Sequence, residues 1–525
     1  MHVESCIIAF SLGVFTFSLF SFKSFAIYQQ CSYRIGEFLF AIFRERCDEI
    51  CRLLTYSLAF GLILPFSGLA VKLGQVYFAV VFACLCIIFS GIYFCKSEII
   101  KPPKFTRRYV RIFCTSALMY GLYTVAVLYL ASSLRYGVYI FLIAFALLTV
   151  LSPFFICLGK TVNYPYDKIR YELSKLICNR RLNKSAGLIK IGITGSFGKT
   201  SVKNYLAGML SVKYKVLSTP KSFNTPLGIC RAVKGIDTNC DVFIAEMGAR
   251  YKNDIKELCK IVCPSIGVVT GIACQHTATL GDIDGVKRAK NQLIEALPQS
   301  GFAVFSSQTP KSQQMFEEAK CLKYSVGRDM KDYVYYRNFK QYKDGIRFEI
   351  VVDEMSYRTF APLLGEHNAT NICLAAAVAL RLGIKIEQIL SVIPTLRAVE
   401  HRAEMTVSNN GITVIDDGYN GNIDGITSTA RAVDCIDGYK IAITSGVVEV
   451  GKNSRQINYE VGRILSRHFN LVVAVGVNSS AIKEGAEKQA EVICVGKTQE
   501  TADIIQKRAK SGDVVAFFND LPDRY

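Results

Sequence analysis

The chain has 525 residues, 51% hydrophobic and 20% charged, with a formal net charge of +19. That length allows two to four domains, and that apolar content excludes a disordered chain. The 19 cysteines include no C-x-x-C pair, which argues for reduced thiols acting as small hydrophobes and against a zinc site or a disulfide scaffold. The basic surplus is spread without a dense run, so nucleic acid is not an expected partner.

The first 160 residues hold most of the apolar excess. Apolar stretches near 6–27, 53–71, 75–95, 113–132 and 137–158 each approach the roughly 20 residues that cross a bilayer as a helix. Basic residues cluster after the first stretch (Lys23, Arg34, Arg44, Arg46, Arg52) and after the third (Lys96, Lys101, Lys104, Arg107, Arg108, Arg111). The short loops between hold only Lys72 and Arg135. Because basic loops stay in the cytoplasm, the expectation is an α-helical membrane domain over 1–160 with about five spans. The protein would then be a multi-pass protein of the cell membrane with its later domains in the cytoplasm. Residues 161–187, with Lys168, Arg170, Arg180, Arg181 and Lys184, read as a basic linker.

The next element carries the chemistry. Leu188, Ile189, Ile191 and Ile193 form an apolar run that enters the turn T-G-S-F-G-K-T-S, residues 194–201, and a helix-compatible segment follows. Strand, glycine-rich turn and helix are the context of a phosphate-binding loop. Gly195 and Gly198 let backbone N–H groups approach phosphate oxygens, Lys199 supplies a point charge, and a hydroxyl can reach Mg²⁺. The spacing is not the common G-x-x-x-x-G-K, since Ile193 stands where the first glycine would be. The reading is that the protein binds and spends ATP.

Beyond this loop, strand-like runs alternate with helical patterns: Val242–Ala245, Ile266–Thr270, Ala303–Ser306. That alternation predicts a parallel, helix-flanked sheet, a P-loop ATPase domain over 188–395. The Tyr-rich region 323–360 alternates and predicts an antiparallel insertion or edge, and 367–383 an Ala-rich helix. After Pro394, strands at Thr413–Asp416, Lys440–Thr444, Leu471–Val475 and Val514–Phe518 predict a second, smaller Rossmann-like α/β domain over 396–525. Glu246 ends a strand, where phosphoryl-transfer folds place a Mg²⁺ ligand. His276 follows another strand, Lys290 lies on a helix, and His367, Asn368 and Asn371 open the Ala-rich one.

The signatures T-G-S-x-G-K-T-S, E-M-G-A, the His276 loop, A-K at 289–290, G-x-H-N-x-x-N, H-R at 401–402 and I-D-D-x-Y-N-x-N occur here in one order. In that order the segment 187–525 resembles the Mur ligase family, most closely its D-alanyl-D-alanine-adding type. The resemblance implies an ADP-forming, ATP- and Mg²⁺-dependent amide ligase of peptidoglycan precursor synthesis. Its partners would be a muramyl-peptide or similar carboxylate, an amino acid or dipeptide, and other envelope-building enzymes. Thr194, Gly195, Ser196, Gly198, Lys199, Thr200 and Ser201 would bind ATP phosphates. Thr200, Glu246, His276 and Lys290, the last as a carbamate, would hold the metal, and Lys199, His276 and Lys290 would act in catalysis. Asn371 would meet adenine. Arg402 and Asp417 would reach ATP from the C-terminal domain, with the register favouring Asp417 over Asp416 for the ribose.

Several positions depart from the family pattern. Thr225 replaces an asparagine, Gln292 an acid and Ile423 a proline, and membrane spans stand where the UDP-sugar domain is expected. A poly-γ-glutamate or capsule-type amide ligase and a P-loop transport ATPase are the alternative readings.

Overall fold

In a computed structural model the described residues are 3–31, 33–42, 103–133, 137–184, 187–235, 239–274, 277–419, 422–448, 453–486 and 489–518. The chain divides into two compact units, residues 1–170 with 521–525, and residues 171–520.

The first unit is helical. Helices Val3–Gln30 and Arg107–Ser132 and the first part of Gly137–Lys184 bury Phe17, Phe25, Tyr28, Tyr120 and Ile156 in a shared aromatic core. The first two helices touch closely at Gly13, where a β-carbon would lie 2.5 Å from Thr124 Oγ1. Two of the expected spans, 53–71 and 75–95, lie outside the described residues. Among the described residues one helix, Arg107–Leu130, is long and apolar enough to cross a membrane. The described residues thus do not show the expected five-span domain. Phe17 and Phe25 of the first stretch, Tyr120 of the fourth and Ile156 of the fifth pack into the aromatic core, while Phe15, Leu118, Leu122, Tyr129 and Leu130 are exposed.

The second unit opens with the end of that long helix. The segment expected as a linker is helical to Lys184. Cys178 and Leu182 join a core with Ile229 and Leu258, Lys175 Nζ lies 3.3 Å from Glu257 Oε1, and Asn179 Nδ2 donates to the Lys260 carbonyl at 3.2 Å.

A nine-stranded sheet follows: β1 (Ile189–Thr194), β2 (Val216–Ser218), β3 (Val242–Glu246), β4 (Ile266–Val269), β5 (Phe302–Ser306), β6 (Leu322–Gly327), β7 (Val334–Tyr342), β8 (Gly345–Val352) and β9 (Met355–Ala361). Its order is β2-β3-β1-β4-β5-β6-β7-β8-β9. The strands up to β7 pair in parallel, and β7-β8-β9 form the antiparallel edge that the alternating Tyr-rich pattern predicts. β1, β3 and β4 are buried on both faces, which is why they read as continuous apolar runs. Helix His367–Arg381 lies in the core with Ala375, Ala376 and Ala377 fully buried, the close packing that alanine allows.

The second sheet joins β10 (Glu404–Val407), β11 (Thr413–Asp417), β12 (Lys440–Thr444), β13 (Leu471–Val475), β14 (Glu491–Val495) and β15 (Val514–Phe518) in the order β10-β11-β15-β12-β13-β14. Only β10 runs antiparallel. The short β10 and β14 lie at the two edges of the sheet, are half exposed, and were both missed in the sequence reading.

Candidate active site

The sheet order places the site. From β1 the chain builds outward to β3 on one side and to β4 on the other, so the C-terminal ends of these three strands border a crevice. Ile193 pairs with Glu246 in register, which sets the Glu246 carboxylate beside the phosphate loop.

The loop is shaped by its own side chains. Gly198 has φ 74° and starts helix Lys199–Leu210 with no side-chain cap. The first-turn N–H groups are thereby left for an anion, and the helix dipole favours negative charge at that end. Thr194 Oγ1 donates to the Met247 carbonyl at 3.0 Å, and Ser196 Oγ to the Ala273 carbonyl at 3.0 Å. Thr270 Oγ1 donates to the carbonyl of Phe197. The side chains of Thr194 and Ser196 thus tie the loop to neighbouring strand ends. Ser201 is buried and faces the cavity.

Thr200 Oγ1 donates to Glu246 Oε2 at 2.9 Å, with both side chains about 1% exposed. Lys199 Nζ folds onto the Gly195 carbonyl at 2.7 Å. Burial, offset by Glu246 and reinforced by Arg402, brings its pKa down to about 8. Lys290 is 2% exposed on helix Ile283–Glu295, which Asp282 caps by accepting from the Gly285 N–H at 2.6 Å. Burial, then the charge of Lys199, drives its pKa well below the ordinary lysine value. A buried uncharged amine is the form that adds CO₂ to become a carbamate, so the setting suits that modification.

Hard oxygen donors at Thr200 and Glu246 suit Mg²⁺, which takes few protein ligands and keeps waters and phosphate oxygens. Among the described residues no cluster of three His, Cys, Asp or Glu could hold a metal by itself. His276 lies outside the described residues.

A cavity of about 730 Å³ adjoins the loop and is lined by Phe197, Gly198, Ser201, Asn371, Arg402 and Ser428, among others. Asn371 is 3% exposed. Tyr336 and Phe339 add aromatic wall, and Gln308 Nε2 donates to Tyr336 Oη at 2.9 Å. His367 Nδ1 lies 2.8 Å from Ser428 Oγ, across from the Ala-rich helix to helix Ile423–Ala432. Arg402 sits over the Tyr419 ring at 5.4 Å. Asp417 is 1% exposed and does not line the cavity: Oδ1 accepts from the Ala403 N–H at 3.1 Å and Oδ2 from Thr429 Oγ1 at 2.8 Å. Asp416 is more exposed and accepts from His401 Nδ1 at 2.7 Å.

The departures from the family pattern have local roles. Thr225 caps helix Pro226–Val233 by accepting from the Gly228 N–H at 3.3 Å. Gln292 donates to the Lys252 carbonyl at 2.7 Å and accepts from the Lys256 N–H at 3.0 Å, tying its helix to helix Asp254–Val262. Ile423 begins a helix capped by Asn422, which accepts from the Gly425 N–H at 2.8 Å. The aromatic wall was not anticipated, because Phe197, Tyr336 and Phe339 come together only through the sheet order.

Fold and site define a nucleotide-dependent, phosphate-activating enzyme of α/β architecture. The Mur ligase middle domain matches residues 193–379, and the Mur ligase glutamate ligase domain matches residues 401–518. The chain belongs to the Mur ligase family, ATP-dependent, ADP-forming ligases that require Mg²⁺.

Among its relatives is the UDP-N-acetylmuramoyl-tripeptide–D-alanyl-D-alanine ligase of Bacillus subtilis, 27% identical over 333 residues, 62% of this chain and 72% of that one. The ligase of the same name from Mycobacterium bovis is 31% identical over 58% of this chain and 61% of its own. The structure is similar to MurF from Acinetobacter baumannii, with a TM-score of 0.62 and 25% identity over 68% of this chain and 78% of that one. A MurF ligase of Thermotoga maritima in complex with ADP shares the fold, with a TM-score of 0.60 and 21% identity over 67% of this chain and 80% of that one. These relatives set aside the transport ATPase reading. Together with the single helix of membrane-crossing length among the described residues, they overturn the multi-pass location in the cell membrane.

Proposed function

We propose that the protein joins D-alanyl-D-alanine, or a similar amino acid or dipeptide, to a muramyl tripeptide in peptidoglycan precursor synthesis. The substrates follow from the relatives' names. The observation that carries the chemistry is the buried Thr200–Glu246 contact under an uncapped helix N-terminus, with Lys199 and Lys290 beside it.

The reaction has two steps. A substrate carboxylate oxygen attacks the γ-phosphorus of ATP, the bond to the β-phosphate oxygen breaks, and ADP leaves. The amine then attacks the acyl phosphate carbon, loses a proton, and expels inorganic phosphate to leave the amide. Lys199 and the first-turn N–H groups grip the phosphates and stabilise the charge that moves toward ADP. Thr200 and Glu246, with His276 and Lys290 as a carbamate, would hold Mg²⁺, which would supply positive charge against the phosphates. Asn371 reads the base in the aromatic cavity, and Arg402 approaches from the second sheet. Excluding water there protects the acyl phosphate from hydrolysis.

Mass spectrometry of products from purified full-length protein with ATP, Mg²⁺, UDP-muramyl tripeptide and D-alanyl-D-alanine tests the proposal. The expected result is a pentapeptide product formed in step with ADP. ADP release without any amide on these substrates would refute the substrate assignment. Carbon-13 bicarbonate should give a carbamate signal in the wild type that disappears in Lys290→Arg.

A further inference from the structure

Lys203 lies one turn beyond Lys199 on the phosphate-loop helix, on the same face, and is 1% exposed. Its ammonium has three donors and three acceptors. Nζ donates to the Thr219 carbonyl at 2.7 Å and to the Lys221 carbonyl, and stands 3.5 Å from Glu246 Oε2. The two carbonyls belong to the turn that follows β2 and leads into S-F-N-T-P-L-G. Lys221 in that turn has φ 47°, a strained setting for a residue with a side chain.

The turn and the carboxylate are also joined without Lys203. The Glu246 N–H donates to Thr219 Oγ1 at 3.1 Å, and Asn224 Nδ2 reaches Glu246 Oε1 at 3.5 Å. Filling this space needs no charge, since an apolar side chain of similar length would do so without burying an ammonium. What a charge adds is orientation: it fixes one carboxylate oxygen while the other keeps Asn224.

We propose that Lys203 is a positioning residue, which holds the Glu246 carboxylate in one orientation for the metal and locks the 219–225 turn to it. The inference rests on the ligase reading and on Glu246 as a metal ligand. Lys203 does not line the nucleotide cavity; it acts through Glu246.

The test is a Mg²⁺ titration of fluorescent ATP-analogue binding to the full chain, with melting temperature followed in parallel. Lys203→Met should raise the Mg²⁺ concentration for half-maximal binding about 10- to 100-fold, the range for losing a group that orients a metal ligand. Lys203→Arg, which keeps the charge, should fall between. In a Glu246→Gln background, Lys203→Met should add no further shift. An unchanged Mg²⁺ requirement in Lys203→Met, or the same shift with and without Glu246, overturns the proposal. So does failure of both Lys203 variants to fold, which would make the residue a support of the fold. A wild type that binds the analogue without regard to Mg²⁺ refutes the ligase reading instead.

Discussion

Gly198 and Asn371 meet so closely that no side chain fits between them: a β-carbon on residue 198 would lie 2.6 Å from Asn371 Oδ1. Gly198 also has φ 74°, a conformation that costs other residues about 1–2 kcal/mol. Gly198→Ala should therefore destabilise the protein by about that amount and displace Asn371. Nucleotide affinity should fall about tenfold, equivalent to roughly 1.4 kcal/mol. Calorimetric titration with an ATP analogue, beside thermal unfolding, measures both.

Lys199→Ala removes the phosphate-gripping charge and leaves the buried Thr200–Glu246 contact in place. ADP release should fall at least about 100-fold, the scale for losing one preorganised electrostatic partner of a transition state. The melting temperature should stay near the wild-type value, because the only hydrogen-bond partner of Lys199 Nζ among the described residues is the Gly195 carbonyl.

Asp416 and Asp417 should separate cleanly. Asp417→Asn disturbs a buried carboxylate that accepts from Ala403 and Thr429, at a cost of about 1–3 kcal/mol. Asp416→Asn loosens a half-exposed contact with His401, worth about 1 kcal/mol or less. Chemical denaturation ranks the two. The KM for ATP in each variant shows which carboxylate meets the ribose.

His367 gives a pH signature. Burial, then the charge of Arg402, lowers its pKa from 6.5 to about 4. Between those values the unfolded chain binds more protons than the folded one, so stability rises with pH. The contribution is complete above about pH 6.5 and is lost as pH falls toward about 4. His367→Gln should flatten this acid limb, read as a smaller difference in melting temperature between pH 7 and pH 5.

Much of the catalytic half is legible in the residues. Parallel strands buried on both faces announce themselves as apolar runs, and the loop from Thr194 to Ser201 states its chemistry locally. Lys203 escapes the same reading because a lysine four residues after another on a helix looks like a solvated face; only the turn after β2 turns it inward. The burial of Asp417 escapes for a related reason, since its partners Ala403 and Thr429 come from a separate turn and helix. The first 160 residues mislead most. Phe17, Phe25 and Tyr120 supply apolar content that hydropathy cannot assign to lipid or to protein, and in the fold they pack on one another.

The alanine-rich rod beneath the nucleotide cavity limits how this protein can be altered. Twelve residues of helix His367–Arg381 are enclosed, so Asn371 stands on a foundation without slack. A change of base preference, whether by drift or by engineering, has to come from the opposite bank around Tyr336 and Phe339, which sit on β7 rather than on this helix.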